Sequence, residues 1–249
     1  MLEYFKKSQT PTLAIRLTSL AAPARAEVDR PALLDVLLSV WRDHVGNMPE
    51  WFDIFGPYGI VKGQSIGLNA FMSKLKKRGH TDYDGYVAMN EQHGGFCVSF
   101  FKTPPYEAGF CEIVLWFRPA VKGIDVVEVV RQIAAVVPVD YGYSNELRKD
   151  QDPVTESMRR RGLLGGITTD VGTNSLSQWH RKVRTVADGS LRDVYRINFL
   201  NRRQIERLRE FDRPDVTRIT DDLHAFIVLG AAEQNDWRKR LVIDSGDGR

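Results

Sequence analysis

Gly85-Tyr86-Val87-Ala88-Met89-Asn90, Phe96-Cys97-Val98-Ser99-Phe100-Phe101-Lys102 and Phe110-Cys111-Glu112-Ile113-Val114-Leu115-Trp116-Phe117 are three runs rich in apolar, β-branched and aromatic residues. Gly94-Gly95 punctuates the first pair and Pro104-Pro105 the second. Runs of this kind, bounded by turn residues, predict an antiparallel meander.

On the N-terminal side, Thr12-Leu13-Ala14-Ile15-Arg16-Leu17 predicts a first strand. Asp29 is placed to cap a helix with Pro31 in its first turn. Leu34, Leu37, Leu38, Trp41 and Val45 recur along that helix at helical spacing, up to Gly46. Met48 to Tyr58, with Trp51, Phe52, Phe55, Gly56, Pro49 and Pro57, predicts a packed loop. Ser65 to Arg78 predicts a second helix with Leu68, Phe71, Met72 and Leu75 on one face. Its Lys74, Lys76, Lys77 and Arg78 fall in the last turns, where cations suit the helix dipole, so that basic run has a structural reason. After the meander, Val121 to Val137 predicts a helix with Val126, Val127, Val130, Ile133, Ala134 and Val137 as its apolar stripe. This order, β–α–α–β–β–β–α, is α+β: antiparallel strands flanked by helices.

Beyond Pro138 the periodicity weakens. Arg148 to Val154 is polar and predicts a loop, Glu156 to Arg161 a short helix, and Ser175 to Val186 another. Leu191 to Asn198 predicts a strand. Asn201, with Gln204 three residues on, predicts a capping box opening a helix to Phe211. Val216–Ile219, Ala225–Leu229 and Leu241–Ile243 are late strand candidates, and 245–249 a disordered tail. The expected organisation is one compact domain over 1–249, built from two intimately packed halves, 1–138 and 139–244. A divergent duplication is compatible with both halves mixing strands and helices.

The chain has 249 residues, 43% of them hydrophobic, enough for a sizeable core. Net charge is +3, small for a dedicated nucleic-acid binder. Residues 148–218 hold sixteen Lys and Arg against ten Asp and Glu, a local excess of six that leaves the remainder near −3. Such asymmetry steers an acidic partner. Met1 to Lys7 lacks the apolar stretch of a secretory signal, and no apolar run is long enough to cross a membrane, so the expected location is the cytoplasm. Cys97 and Cys111 sit among apolar strand residues and are expected to be reduced and buried.

The five histidines form no H-x-x-x-H or H-E-x-x-H pattern, no C-x-x-C is present, and G-x-S-x-G is absent. No catalytic, metal or cofactor motif is expected. His80-Thr81-Asp82-Tyr83-Asp84 places two carboxylates near an imidazole, a set suited to a hydrolase or nucleotide-processing site using His80, Asp82 and Asp84, and equally to a polar turn. Gly162-Leu163-Leu164-Gly165-Gly166 after Arg159-Arg160-Arg161 matches neither phosphate-loop spacing. The arginines from 159 to 209 suit a further reading, a nucleic-acid surface. Tyr141 and Tyr143, with polar neighbours, are candidate recognition anchors. Together with Glu146, Arg148, Asp150, Arg159, Arg160 and Arg161 they form the candidate partner-binding set.

Asp140-Tyr141-Gly142-Tyr143, Glu156-Ser157 to Gly166, and Arg192-Asp193-Val194-Tyr195 with Asn198-Phe199-Leu200-Asn201 resemble immunity proteins of bacterial polymorphic-toxin and type VI secretion systems. The pattern is most similar to the immunity protein 52 family, over roughly residues 100–230. The resemblance implies a non-catalytic protein that binds a cognate toxin, its effector partner, and blocks it. Toxin-contacting residues differ among such proteins, so none carries over by position.

Overall fold

The computed structural model describes residues 11–20, 28–55, 66–78, 83–101, 109–119, 121–148, 151–156, 159–161, 167–169, 172–210 and 215–241. At 78, 159–161, 167–169, 172–175 and 177 the description is of the backbone.

The strands are β1 (Thr12–Ser19), β2 (Trp51–Phe55), β3 (Gly85–Asn90), β4 (Gly94–Phe101), β5 (Phe110–Phe117), β6 (Tyr141–Leu147), β7 (Arg159–Arg161), β8 (Ile167–Thr169), β9 (Ile197–Asn201), β10 (Val216–Arg218) and β11 (Leu223–Ile227). The helices are α1 (Arg30–Val45), α2 (Leu68–Arg78), α3 (Val126–Ala134), α4 (Gly172–Lys182), α5 (Arg202–Arg209) and α6 (Ala231–Arg240), with a 3-10 turn at Val183–Asp188 after α4. Nine strands form one antiparallel sheet in the order β10-β11-β9-β6-β1-β5-β4-β3-β2; β7 and β8 pair separately. The first strand is thus the middle of the sheet. Through its pairing with β5 on one side and β6 on the other, the sheet runs unbroken across both halves of the sequence.

Strand alternation sorts side chains onto two faces. On the first lie Ile15, Leu17, Val98, Ile113, Leu115, Phe117, Phe199 and Ala225, packed with Leu33, Leu37 and Trp41 of α1, Phe71 of α2, and Val129, Val130 and Ile133 of α3. On the second, Tyr141, Tyr143, Leu200 and Phe226 pack with Trp179 of α4, Ile205 and Leu208 of α5 and Trp237 of α6. A smaller cluster around Trp116 and Met89 continues this second face toward β3 and β4. The architecture is α+β, with a central sheet between two helical layers.

Local signals set the helix ends. The Asp29 carboxylate accepts from Ala32 N at 3.0 Å, Pro31 sits in the first turn of α1, and Gly46 ends it at φ 81°. Asp125, rather than Val121, starts α3, because its carboxylate accepts from Glu128 N. Asn201 and Gln204 form the expected reciprocal capping box of α5.

Several expectations are corrected. Met48 to Tyr58 contains β2, whose Phe52 and Ile54 turn inward while Trp51 to Phe55 pair with Gly85 to Met89. Tyr141 to Leu147 is a strand, β6, which the weak periodicity hid because β1 and β9 flank it and most of its residues are covered on both faces. Arg159–Arg161 is extended, not helical, because it pairs with Ile167–Thr169. The strand expected at Leu191 begins only at Ile197, and α6 occupies 231–240, with Leu241 at its C-cap; residues 242 and 243 lie outside the described residues. The meander itself stands as expected, with β4 beginning two residues early at Gly94. At Gly94, φ is +114° and an added Cβ would meet the Trp116 carbonyl oxygen at 2.0 Å, so glycine is required there.

Candidate functional site

At the centre of the second face the apolar pattern breaks. Arg16 on β1 lies directly opposite Tyr143 on β6 and Val114 on β5. Glu112 projects from β5 onto the same face, two residues along. Both are almost wholly buried, at 2% and 4% exposure. Arg16 Nη1 stands 2.6 Å from Glu112 Oε2, close as an ion pair though not aligned as a hydrogen bond. Arg16 Nε lies 3.2 Å from Glu156 Oε1, and its Nη2 donates to the carbonyls of Pro153 and Val154 at 3.0 and 2.7 Å. The guanidinium therefore ties the central strand to the loop after β6.

Glu156 is the second hub. It accepts from Arg192 Nη2 at 2.6 Å and from the Tyr143 hydroxyl at 2.5 Å, and Arg192 also donates to the Tyr143 oxygen. Tyr195 stacks on Tyr143 with ring centroids 3.8 Å apart and planes 6° from parallel. Glu156 has φ +53°, the one non-glycine residue in the left-handed region among the described residues. Its backbone strain is held in place by this set of charge-assisted bonds. On the other side, Glu112 Oε1 lies 3.0 Å from His180 Nε2, and the imidazole is flanked by Phe101 and Phe110.

The electrostatics follow from burial against pairing. Burial raises the Glu112 pKa, but the charge of Arg16 and the bond and charge of His180 outweigh it and bring the carboxyl down to about 2. Glu156 is lowered in the same way, burial being overcome by Arg16 and Arg192. Both guanidiniums are held charged, their burial more than offset by the carboxylates and tyrosines around them. Burial drives Tyr143 well above its ordinary range and Tyr195 to about 12, so neither phenol ionises near neutrality. Two guanidiniums and two carboxylates balance. The centre is buried and balanced in charge, an arrangement suited to locking geometry.

The candidate partner-binding residues separate into two groups. Tyr141 and Tyr143 are buried, at 0% and 2% exposure, which overturns their reading as surface anchors. The Tyr143 hydroxyl reaches Glu156, and the Tyr141 ring packs on Trp179. Between them Gly142 faces β1, where a Cβ would lie 2.6 Å from Leu17 Cδ2. Glu146 and Arg148, at the end of β6, are exposed, and Glu146 reaches Arg196 at 3.7 Å. Arg159, Arg160 and Arg161 form β7; Asp150 lies outside the described residues.

The enzyme and nucleic-acid readings rest on different parts of the chain. His80 and Asp82 lie outside the described residues, while the backbone of Asp84 bonds Phe55 and Phe100, joining strands. Among the described residues, no group of three His, Cys, Asp or Glu is placed to hold a metal ion, and no helix is long and apolar enough to cross a membrane. Several arginines of the 159–209 stretch are engaged internally: Arg192 in the centre, Arg203 with the Ala187 carbonyl, Arg207 with Gly189 and Arg202 with Glu206. Cys97 and Cys111 are free and buried, and burial pushes the Cys97 thiol up to about 12.

The sequence reading missed Arg16, Glu112, Glu156, His180, Arg192 and Tyr195. A signal existed for two of them: Arg16 in Leu13-Ala14-Ile15-Arg16-Leu17 and Glu112 in Phe110-Cys111-Glu112-Ile113-Val114 are lone charges inside apolar strands. Such charges are buried only when paired.

No protein-family model matches the chain, and no curated protein matches it. Among solved structures, the fold is similar to that of the Pseudomonas aeruginosa T6SS protein PA0821, with a TM-score of 0.55 and 12% identity over 93% of this chain and 76% of that one. At that identity the likeness establishes a shared fold.

Proposed function

We propose that this chain is a non-catalytic immunity protein of a type VI secretion system, which binds a cognate protein toxin and covers its active surface. The observation that carries the reading is the fold shared with a type VI secretion protein over nearly the whole chain. The resemblance of the 140–201 segment to toxin-immunity proteins points the same way. The proposed contact surface is the exposed end of β6, with Glu146 and Arg148, together with Arg159, Arg160 and Arg161 of β7; Asp150, outside the described residues, is proposed with them. Tyr141 and Tyr143 support this surface from within. A protein that acts by binding benefits from a rigid frame, since little ordering then opposes association. The buried ionic centre supplies one, joining the central strand, the β6 loop and the segment before β9.

The test is co-expression with the protein encoded by the adjacent open reading frame. Growth rescue and a co-purifying complex are expected. The charge reversals Glu146→Lys and Arg148→Glu should weaken the complex at least about tenfold, mainly through association rate. Absence of both rescue and complex overturns the reading.

A further inference from the structure

The β10–β11 hairpin and α6 enclose an open groove of about 440 Å³ at the end of the large sheet, far in sequence from the β6 surface. Four large hydrophobic residues are exposed among the described residues, and two of them, Ile227 at 40% and Leu229 at 89%, line this groove. Leu229 is held in place. Its backbone N–H donates to Glu233 Oε2 at 2.9 Å, and the preceding Val228 N–H bonds the Arg196 carbonyl at 2.8 Å. Trp237 closes the floor, fixed edge-on against Phe226 with centroids 5.2 Å apart. A solvent-exposed leucine held in place beside an aromatic floor is apolar surface that an added segment can cover at little ordering cost.

Two further observations specify the occupant. First, among the described residues that line the groove, Asp215, Glu233 and Asp236 face one cation, Arg240, which pairs with Asp236 at 2.7 Å and leaves an excess of two negative charges, in a chain that is net positive overall. The charge complement is a basic segment. Second, β10 ends the nine-stranded sheet, with a paired strand on one side only among the described residues. An outer strand offers backbone groups to an added extended segment. We propose that this groove docks an extended segment of a partner protein in which apolar residues alternate with lysine or arginine. Apolar side chains cover Ile227, Leu229 and Trp237, while the basic ones meet Asp215, Glu233 and Asp236. This does not depend on the partner being a toxin.

The probe is a fluorescein-labelled heptapeptide alternating isoleucine with lysine, titrated against the full chain by fluorescence anisotropy. Saturable binding is expected. Leu229→Asp, or Asp215→Asn with Asp236→Asn, should weaken it at least about tenfold. Glu206→Gln with Asp188→Asn, which removes the same charge from exposed sites elsewhere, should leave it within about twofold. Leu229 is exposed, so its substitution tests docking rather than folding. No saturation, equal weakening by the remote pair, or equal binding of a glutamate-for-lysine peptide overturns the proposal. So does a concentration-dependent dimer in sedimentation that Leu229→Asp abolishes, since the occupant would then be a second copy.

Discussion

The two faces of the central sheet solve the same burial problem in opposite ways. The first is mainly apolar: Trp41 stacks over Phe117 at 6.0 Å, and α1, α2 and α3 press aliphatic and aromatic side chains onto it. The second carries two guanidiniums and two carboxylates at its middle, inside an aromatic surround. Hydrophobic burial is non-directional, so the first face is held by volume and area. An ion pair in the interior is directional, and its attraction is largely cancelled by desolvation. The second face therefore gains more in defined geometry than in stability. That geometry fixes the loop carrying Pro153, Val154 and Glu156 against β1.

The largest effects should come from breaking one member on each face. Glu112→Ala leaves Arg16 and His180 without their carboxylate and should cost about 3–5 kcal/mol in urea unfolding. Trp41→Ala should cost a similar 3–5 kcal/mol through the cavity it opens. The faces then diverge on repair. Arg16→Met with Glu112→Leu removes charge in equal and opposite amounts, leaves Glu156 with Arg192, and should recover most of the loss. Failure of the double variant to recover would mean that the ionic centre is a major source of stability, and the contrast between the faces would fall.

Acid should act mainly through the ionic centre of the second face. The Glu112 pKa falls from an ordinary 4.5 to about 2, and Glu156 is also lowered. A lowered folded pKa stabilises above the unfolded value and loses that contribution as pH falls through the folded one. Stability should therefore decline from about pH 5 toward pH 2, by on the order of 3 kcal/mol from Glu112. Asp53, raised by burial, opposes this weakly. Stability curves at several pH values check the prediction, and Glu112→Gln should flatten them. The smallest effect belongs to the surface: Glu146→Ala, losing only its exposed contact with Arg196, should change stability by less than about 0.5 kcal/mol. A larger loss would show that the end of β6 contributes to holding the sheet together.

Legibility followed the same divide. Elements with a strong period or a local cap were readable: the meander, α1 with Asp29 and Gly46, and α5 with its Asn201 box. β2 was obscured because its aromatics lie in a glycine- and proline-rich stretch. β6 was obscured because Tyr141, Gly142, Tyr143 and Ser144 are all buried, which removes alternation. Within the candidate site, Tyr143 was singled out for its polar surroundings, which were right, but its exposure was misread. Its partners Glu156 and Arg192 lie 13 and 49 residues away.

The sequence by itself determined the α+β class, the meander, both ends of α1 and the start of α5, because these rest on patterns and bonds spanning a few residues. Only the tertiary structure decided that β1 is the middle strand and that Arg16 meets Glu112, Glu156 and, through it, Arg192. It likewise decided that Leu229 stands exposed beside Trp237. Which charges are buried depends on pairings across 96, 140 and 36 residues of chain, and no local pattern encodes these.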